Sequence, residues 1–216
     1  MANLDLDAIR AGAEAPQTAD LAGAMDAARD LTDAFVDDPL FNWMSRTDAK
    51  RDEGRLAFFR HILKALALPG GQIQRPAAGG AAAVWMPSEA LAKGNPIHEE
   101  LLALPALAHL TGLGRFSRLI AVRTALDKYH PMTTPHDYLF FLGVVPAAQG
   151  HGIGSRLLKA HCATLDAQNR PAHLETARME NVRLYQRFGF EVTAEFTIGK
   201  DGPMNWALWR KPNALS

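Results

Sequence analysis

Apolar positions along this chain repeat with two different periods. From Asp20 onward, Leu21, Met25, Ala28, Leu31 and Phe35 recur every three or four places, which predicts an amphipathic helix. Asp20 is placed to cap it, and Asp38-Pro39 ends it, because the residue before a proline avoids helical backbone. Leu40, Phe41, Trp43 and Met44 then read as an apolar loop that packs on the core or walls a pocket. Residues 50–68 predict a second helix, with Leu56, Phe59, Ile62, Leu63 and Leu66 on one face and Pro69-Gly70-Gly71 as its stop. Gln72 to Arg75 and Gly80 to Met86 read as a hairpin. Upstream, residues 1–20 have no sustained period, and an edge strand is expected around Leu4 to Ile9.

Residues 90–130 are helical in pattern but interrupted by Gly94, Pro96, Pro105, Gly112 and Gly114. Two or three helices are expected there, packed over one end of a sheet or forming a dimer face. The pattern then changes. Residues 138–145, Tyr-Leu-Phe-Phe-Leu-Gly-Val-Val, are apolar on both alternating sets, the mark of a central strand covered on both sides. A helix over 152–168 follows, with Ile153, Leu157, Leu158, His161 and Leu165 inward. Then come a strand at 173–177, a short helix at 181–188 closed by Gly189, a strand at 190–198, a Gly-Lys-Asp-Gly turn and a last strand at 204–209. Helices covering a mixed, largely antiparallel sheet fit this order better than a regular alternation of strand and helix. No internal repeat or interdomain linker is seen.

Composition narrows the function. The chain has 216 residues, enough for a core without staples. Lys plus Arg number 23 and Asp plus Glu number 23, giving no net charge. A nucleic-acid partner is therefore not expected, since phosphate-backbone binding needs concentrated positive charge. One cysteine, Cys162, excludes an internal disulfide and a multi-cysteine metal site. Eight histidines are present, none in His-Glu-x-x-His spacing, and no metal is expected. The acidic N-terminus has no apolar run behind it, and no stretch reaches the roughly 18 apolar residues that span a bilayer. The expected location is cytoplasmic, with no membrane partner.

The sharpest local feature is Gln149-Gly150-His151-Gly152-Ile153-Gly154-Ser155, between the buried strand and an amphipathic helix. Glycines allow a tight turn with bare N–H groups. The helix start adds unpaired N–H groups and the positive end of its dipole. Together they suit phosphate or pyrophosphate. A Walker A loop is excluded, because it needs Gly-Lys followed by Ser or Thr, and no lysine occupies that place here. A dinucleotide fingerprint is not met, because Ser155 stands where its third glycine belongs.

Gln149-x-x-Gly152-x-Gly154, after a strand ending in Val144-Val145, resembles the acetyl-CoA signature of the GNAT superfamily of N-acetyltransferases. Asn181-Val-Arg-Leu-Tyr185-Gln-Arg-Phe-Gly189-Phe190 resembles that superfamily's second signature. The final hairpin ending in Trp209 and the segment from Ala34 to Pro39 fit as well. The resemblance covers about residues 19–210, and the block at about 90–130 is less typical. It implies an α/β fold of α+β type, the GNAT acyl-CoA N-acyltransferase fold, in a single domain with a helical insertion. It also implies acetyl-CoA as cosubstrate. Backbone N–H groups of Gly150, His151, Gly152, Ile153, Gly154 and Ser155 are expected to cradle the diphosphate, with Gln149 at a position that is often Arg. Main-chain groups of Val144 and Val145 are expected to meet the pantetheine arm and the thioester carbonyl. Asn181 is expected beside the cofactor arm and Tyr185 beside the sulfur.

The implied reaction is acyl transfer from a thioester to an amine. Roughly one alkyl ammonium in a thousand is unprotonated at neutral pH, so a proton must leave before or during attack. A main-chain N–H at Val144 or Val145 suits the negative charge that develops on the carbonyl oxygen. Tyr185 is the candidate donor to the departing thiolate, four residues after Asn181 on the same helix face. Two candidate bases are Glu175, which shares a strand face with His173, and His136, whose near-neutral pKa suits the task. Asp38, Trp43 and Tyr129 are candidates to line the acceptor site. The expected acceptor is a small-molecule primary amine. The alternatives are acetylation of a protein N-terminus or lysine, and a non-catalytic acyl-CoA-binding module.

Overall fold

The computed structural model describes residues 4–92, 97–131 and 133–213, without the side chains of 92 and 97–102. Seven strands form one sheet: β1 (Gln17–Thr18), β2 (Gln72–Arg75), β3 (Ala81–Pro87), β4 (Asp137–Val144), β5 (Ala172–Thr176), β6 (Phe190–Thr197) and β7 (Met204–Arg210). Their order is β1-β2-β3-β4-β5-β7-β6, and only β4 and β5 run parallel. This is the mixed, mostly antiparallel sheet expected from the sequence.

One face of the sheet carries α1 (Leu6–Glu14), α9 (Ile153–Ala167) and α10 (Met179–Gln186). Its core holds Ile9, Trp85, Leu139, Leu157, Leu158, Leu165, Leu174 and Tyr185. The other face carries α2 (Leu21–Ala34), α3 (Pro39–Met44), α4 (Arg51–Ile62) and its continuation through a π-helical turn into the short α5 (Leu68–Gly70). It also carries α7 (Ile97–Thr111) and α8 (Phe116–Tyr129), while α6 (Ser88–Ala92) follows β3 directly. Phe41, Phe58, Phe59 and Phe141 pack there as stacked, tilted and edge-on rings 5.1–6.4 Å apart, joined by Leu31, Leu110 and Val122.

Three expectations are corrected. The edge strand expected near Leu4 to Ile9 is helix α1. Asp5 caps it by accepting from the Ala8 N–H at 3.0 Å, and Ile9 and Ala13, four apart, are its buried face. The apolar run Leu40 to Met44 is helix α3, not a loop. Asp38 caps it through the Phe41 N–H at 2.9 Å, and Pro39 opens it, where a missing N–H costs nothing. Pro105 lies inside α7 instead of ending it. The block at 90–130 does form separate helices, as expected, and they cover the core. The expected breaks at Gly94 and Pro96 lie outside the described residues.

The β4–β5 ladder positions the site. It pairs Asp137 with Ala172 and Tyr138 with His173, and no further. Beyond Tyr138, β4 runs on to Val144 with no β5 partner. Against β3, Trp85 pairs with Leu139 and Val84 with Phe141, which leaves Phe140 as a bulge. Bulges bend a strand and disturb its alternation. Phe140 and Phe141 therefore both meet the face of α2 and α4, while Leu142 and Val144 turn to the face of α9.

Candidate active site

The parted strands open a cleft of about 620 Å³. Its walls are the end of α2 and the following turn (residues 34–38), the unpaired edge of β4 (142–144), the glycine turn with the start of α9, and one face of α10. Gly150 and Gly152 have φ of +79° and +72°, a backbone region that side chains disfavour. Gly152 is the N-cap of α9, and no side chain caps that helix. A Cβ built on Gly150 would meet nothing within 4 Å. The first amides of α9 are thus unblocked by side-chain caps at the cleft, with the positive end of the helix dipole behind them. Amides and a dipole arranged in this way can hold a diphosphate.

Of the expected cofactor residues, Val144, Gln149, Gly150, Gly152, Ile153, Gly154, Ser155 and Asn181 all line the cleft. Gln149 Nε2 donates to the Val144 carbonyl at 3.0 Å and ties the turn to the strand. Asn181 Nδ2 donates to Thr176 Oγ1 at 3.4 Å and ties α10 to the end of β5. Two residues are placed differently. The Val145 N–H donates to the Gly80 carbonyl at 2.9 Å, and the residue is buried. Antiparallel strands alternate the direction of their peptide groups, so Val144 faces the parted edge and Val145 faces β3. The exposed His151 is not among the lining residues, and its carbonyl accepts from Arg156.

Tyr185 lines the cleft and is 6% exposed. Burial raises its phenol pKa, and the charge of Asp38 adds to the effect, so the group is a neutral donor. Asp38 lines the same cleft. Burial raises its carboxyl pKa above the usual carboxylate range, against the pull of its bonds to backbone N–H groups and the charge of Arg178. The Arg178 guanidinium, also in the lining, donates to the Asp37 carbonyl.

Glu175 and His136 do not line this cleft. Glu175 accepts from His173 Nε2 at 2.8 Å, with side chains 5% and 1% exposed. His136 is fully buried. Its Nδ1 meets the Thr134 carbonyl at 2.7 Å and its Nε2 meets His130 Nε2 at 3.2 Å. Burial lowers its pKa. The structure gathers His130, His136, His173 and Glu175 into one cluster behind the paired part of β4 and β5. The sequence reading missed this cluster and the place of Arg178 in the cleft. No local spacing links His130 to His173, and Arg178 simply follows the strand.

Trp43 and Tyr129, expected near the acceptor, lie on the same face as that cluster. Arg118 donates to the Trp43 carbonyl at 2.7 Å and stacks its guanidinium over the Trp43 ring at 4.8 Å. It also reaches Asp201 at 3.3 Å in the β6–β7 turn. Arg115 donates to the Trp43 and Ser45 carbonyls. α8 is thereby fastened to α3 and to the last hairpin. Tyr129 stacks on Phe196 at 4.1 Å.

The strand pair parts beside a glycine turn and a helix start, and comparison with known proteins finds the same fold among acetyltransferases. The model of the acetyltransferase (GNAT) domain matches residues 118–192. An uncharacterized N-acetyltransferase of Schizosaccharomyces pombe is 24% identical over 192 residues, covering 81% of this chain and 73% of that protein. A solved structure titled as histone acetyltransferase HPA2 and related acetyltransferase, from Corynebacterium glutamicum, superposes with a TM-score of 0.68 at 24% identity, covering 93% of this chain and 97% of that one. Arylalkylamine N-acetyltransferase 2 from Aedes aegypti gives a TM-score of 0.59 at 11% identity, covering 92% and 98%. Residues 118–192 thus match the acetyltransferase (GNAT) domain, and the chain shares its fold with these solved acetyltransferase structures. Among the described residues no helix is long and apolar enough to cross a membrane.

Proposed function

We propose that this protein moves an acetyl group from acetyl-CoA to the primary amine of a small molecule, by direct transfer with both substrates bound. The carrying observation is the cleft itself, in which unblocked amides, an unpaired strand edge and a buried phenol meet. The residues fit the cosubstrate. The amides from Gly152 to Ser155 suit its diphosphate, and the Val144 N–H on the unpaired edge of β4 suits an extended amide-bearing arm. Acetyl-CoA supplies an activated acetyl group and a thiol leaving group.

The chain's own groups do the rest. The Val144 N–H is the backbone donor placed to stabilise negative charge on the acyl oxygen. Tyr185, held neutral by burial, donates a proton to the departing sulfur. We assign acceptance of the amine proton to Asp38 and not to Glu175 or His136, because Asp38 alone of the three lines the cleft. Its raised pKa makes it a stronger base than an ordinary carboxylate.

Arg115 and Arg118 fasten α8 to α3 and the last hairpin, and we take this fastening as support for a small acceptor over an extended peptide. The test is release of CoA with acetyl-CoA and a panel of amines and peptides, with products identified by mass. Small amines are expected to be acetylated. Turnover confined to peptides would overturn the acceptor assignment, and binding without turnover on the whole panel would favour a non-catalytic acyl-CoA module.

A further inference from the structure

On the sheet face away from Tyr185, α8 and β5 bring together three side chains with metal-binding atoms. His130 follows the last turn of α8, and His173 and Glu175 lie two apart on the same side of β5. One donor atom from each lies within 4.8 Å of the other two. The side chains of His173 and Glu175 are nearly inaccessible to solvent, yet His173 Nδ1 and Glu175 Oε2 have no hydrogen-bond partner. Buried polar atoms are normally paired. The Tyr138 phenol also faces Glu175, and the unpartnered atoms left on both buried residues point to a missing cation.

The hydrogen bonds say which lone pairs are available. The Thr134 carbonyl can only accept, so the proton of His136 sits on Nδ1 and its Nε2 is an acceptor. His130 then donates to it from Nε2 and keeps a lone pair on Nδ1. His173 Nε2 meets Glu175 Oε1 at 2.8 Å, and an ion between them would take this Nε2 lone pair with the ring proton moved to the unpartnered Nδ1. Each of the three residues can thus offer one acceptor to the ion. His136 stands behind His130 as the outer partner that orients a ligating imidazole.

We propose that His130, His173 and Glu175 bind a divalent transition-metal ion of the zinc type. Two imidazoles and a carboxylate suit zinc or its first-row neighbours, whereas calcium and magnesium prefer oxygen alone. This departs from the expectation of no metal, which rested on the lack of a local ligand spacing. Here the ligands meet only because the residue that ends α8, His130, lies with its ring 5.0 Å from that of His173.

The test does not depend on turnover. Chelator-treated protein is titrated with Co²⁺, read by its visible ligand-field absorption, and with Zn²⁺, read by equilibrium dialysis. One ion per chain is expected. His130→Ala, at a partly exposed position, and Glu175→Gln, of nearly equal volume, are each expected to weaken binding at least tenfold. Far-UV circular dichroism shows which variants fold, and His130→Ala decides alone if Glu175→Gln does not. Absence of binding to the wild-type protein overturns the proposal. So does binding that persists at wild-type strength in a folded variant, since the ion would then lie elsewhere.

Discussion

Asp38 and Tyr185 line one cleft from opposite elements, and the charge of the carboxylate helps hold the proton on the phenol. One comes from the cap of α3 and the other from α10, 147 positions further along the chain. Nothing local pairs them. The cleft between the parted strands does.

Tyr185→Phe removes the phenolic donor but keeps the ring packed near Phe190, whose centroid is 5.9 Å away. The turnover number is expected to fall about 100-fold, the low end of what positioned proton transfer contributes. Acetyl-CoA affinity should stay within about 2-fold, because the diphosphate cradle is untouched. Steady-state rates and calorimetric titration of CoA check this, and an unchanged turnover number would remove the acid role.

Asp38→Asn keeps an oxygen to cap α3, so thermal stability should change little. It removes the carboxylate, and kcat/KM at neutral pH should fall. In the wild-type protein, activity requires the ionised form and drops as pH is lowered through the carboxyl's pKa. Burial raises that pKa above the ordinary 3.8, so the acid limb should lie on the high side for a carboxylate. A pH–rate profile is the measurement. The limb should vanish in the variant; if it persists unchanged, another group is the base.

Asp30 makes a prediction about stability. Its carboxylate accepts from the Gly80 N–H at 2.9 Å, but burial pushes its pKa from 3.8 up to about 6, against the pull of Arg75. Between those two values the folded protein holds a proton that the unfolded chain has lost. Stability therefore falls as pH rises through that window. Asp30→Asn keeps the acceptor without the charge. It should be more stable than wild type above pH 6, by on the order of 1 kcal/mol after discounting for solvent screening, or about 2–4 °C in Tm. The advantage should fade below pH 4. Thermal melts of both proteins across this range would show a constant difference if the reading is wrong.

Two glycines of the same turn should respond oppositely to alanine. Gly150 has a φ of +79° and open space around it, so Gly150→Ala pays about 1–2 kcal/mol of backbone strain despite the room. Gly154 lies in the first turn of α9. A Cβ there makes ordinary contacts, 3.6 Å from Val144 Cγ2 and 4.0 Å from Leu142 Cδ2. Gly154→Ala should gain up to about 1 kcal/mol of helix stability, yet narrow the approach to the unpaired strand edge and weaken CoA binding. Melting curves and CoA titrations on the pair separate the two effects.

The sequence by itself determined the local elements with strong signals. The run at 138–145, buried on both sides, could only be a central strand. The glycine turn before Ile153 marked a helix start able to hold an anion, and Asn181 and Tyr185 were legible as one face of one short helix. These follow from nearest-neighbour geometry, which a period and a few glycines encode. Weak signals failed: α1 and α3 are short, and their helical state rests on caps at Asp5 and Asp38 and on buried faces that a short window barely registers. The tertiary structure alone decided which side chains meet. The bulge at Phe140 and a two-pair β4–β5 ladder turn Val144 into the cleft and Val145 out of it. The end of α8 brings His130 to His173 and Glu175, and the turn after α2 brings Asp38 to Tyr185. Such meetings depend on register and on contacts between distant segments, and no local pattern carries that information.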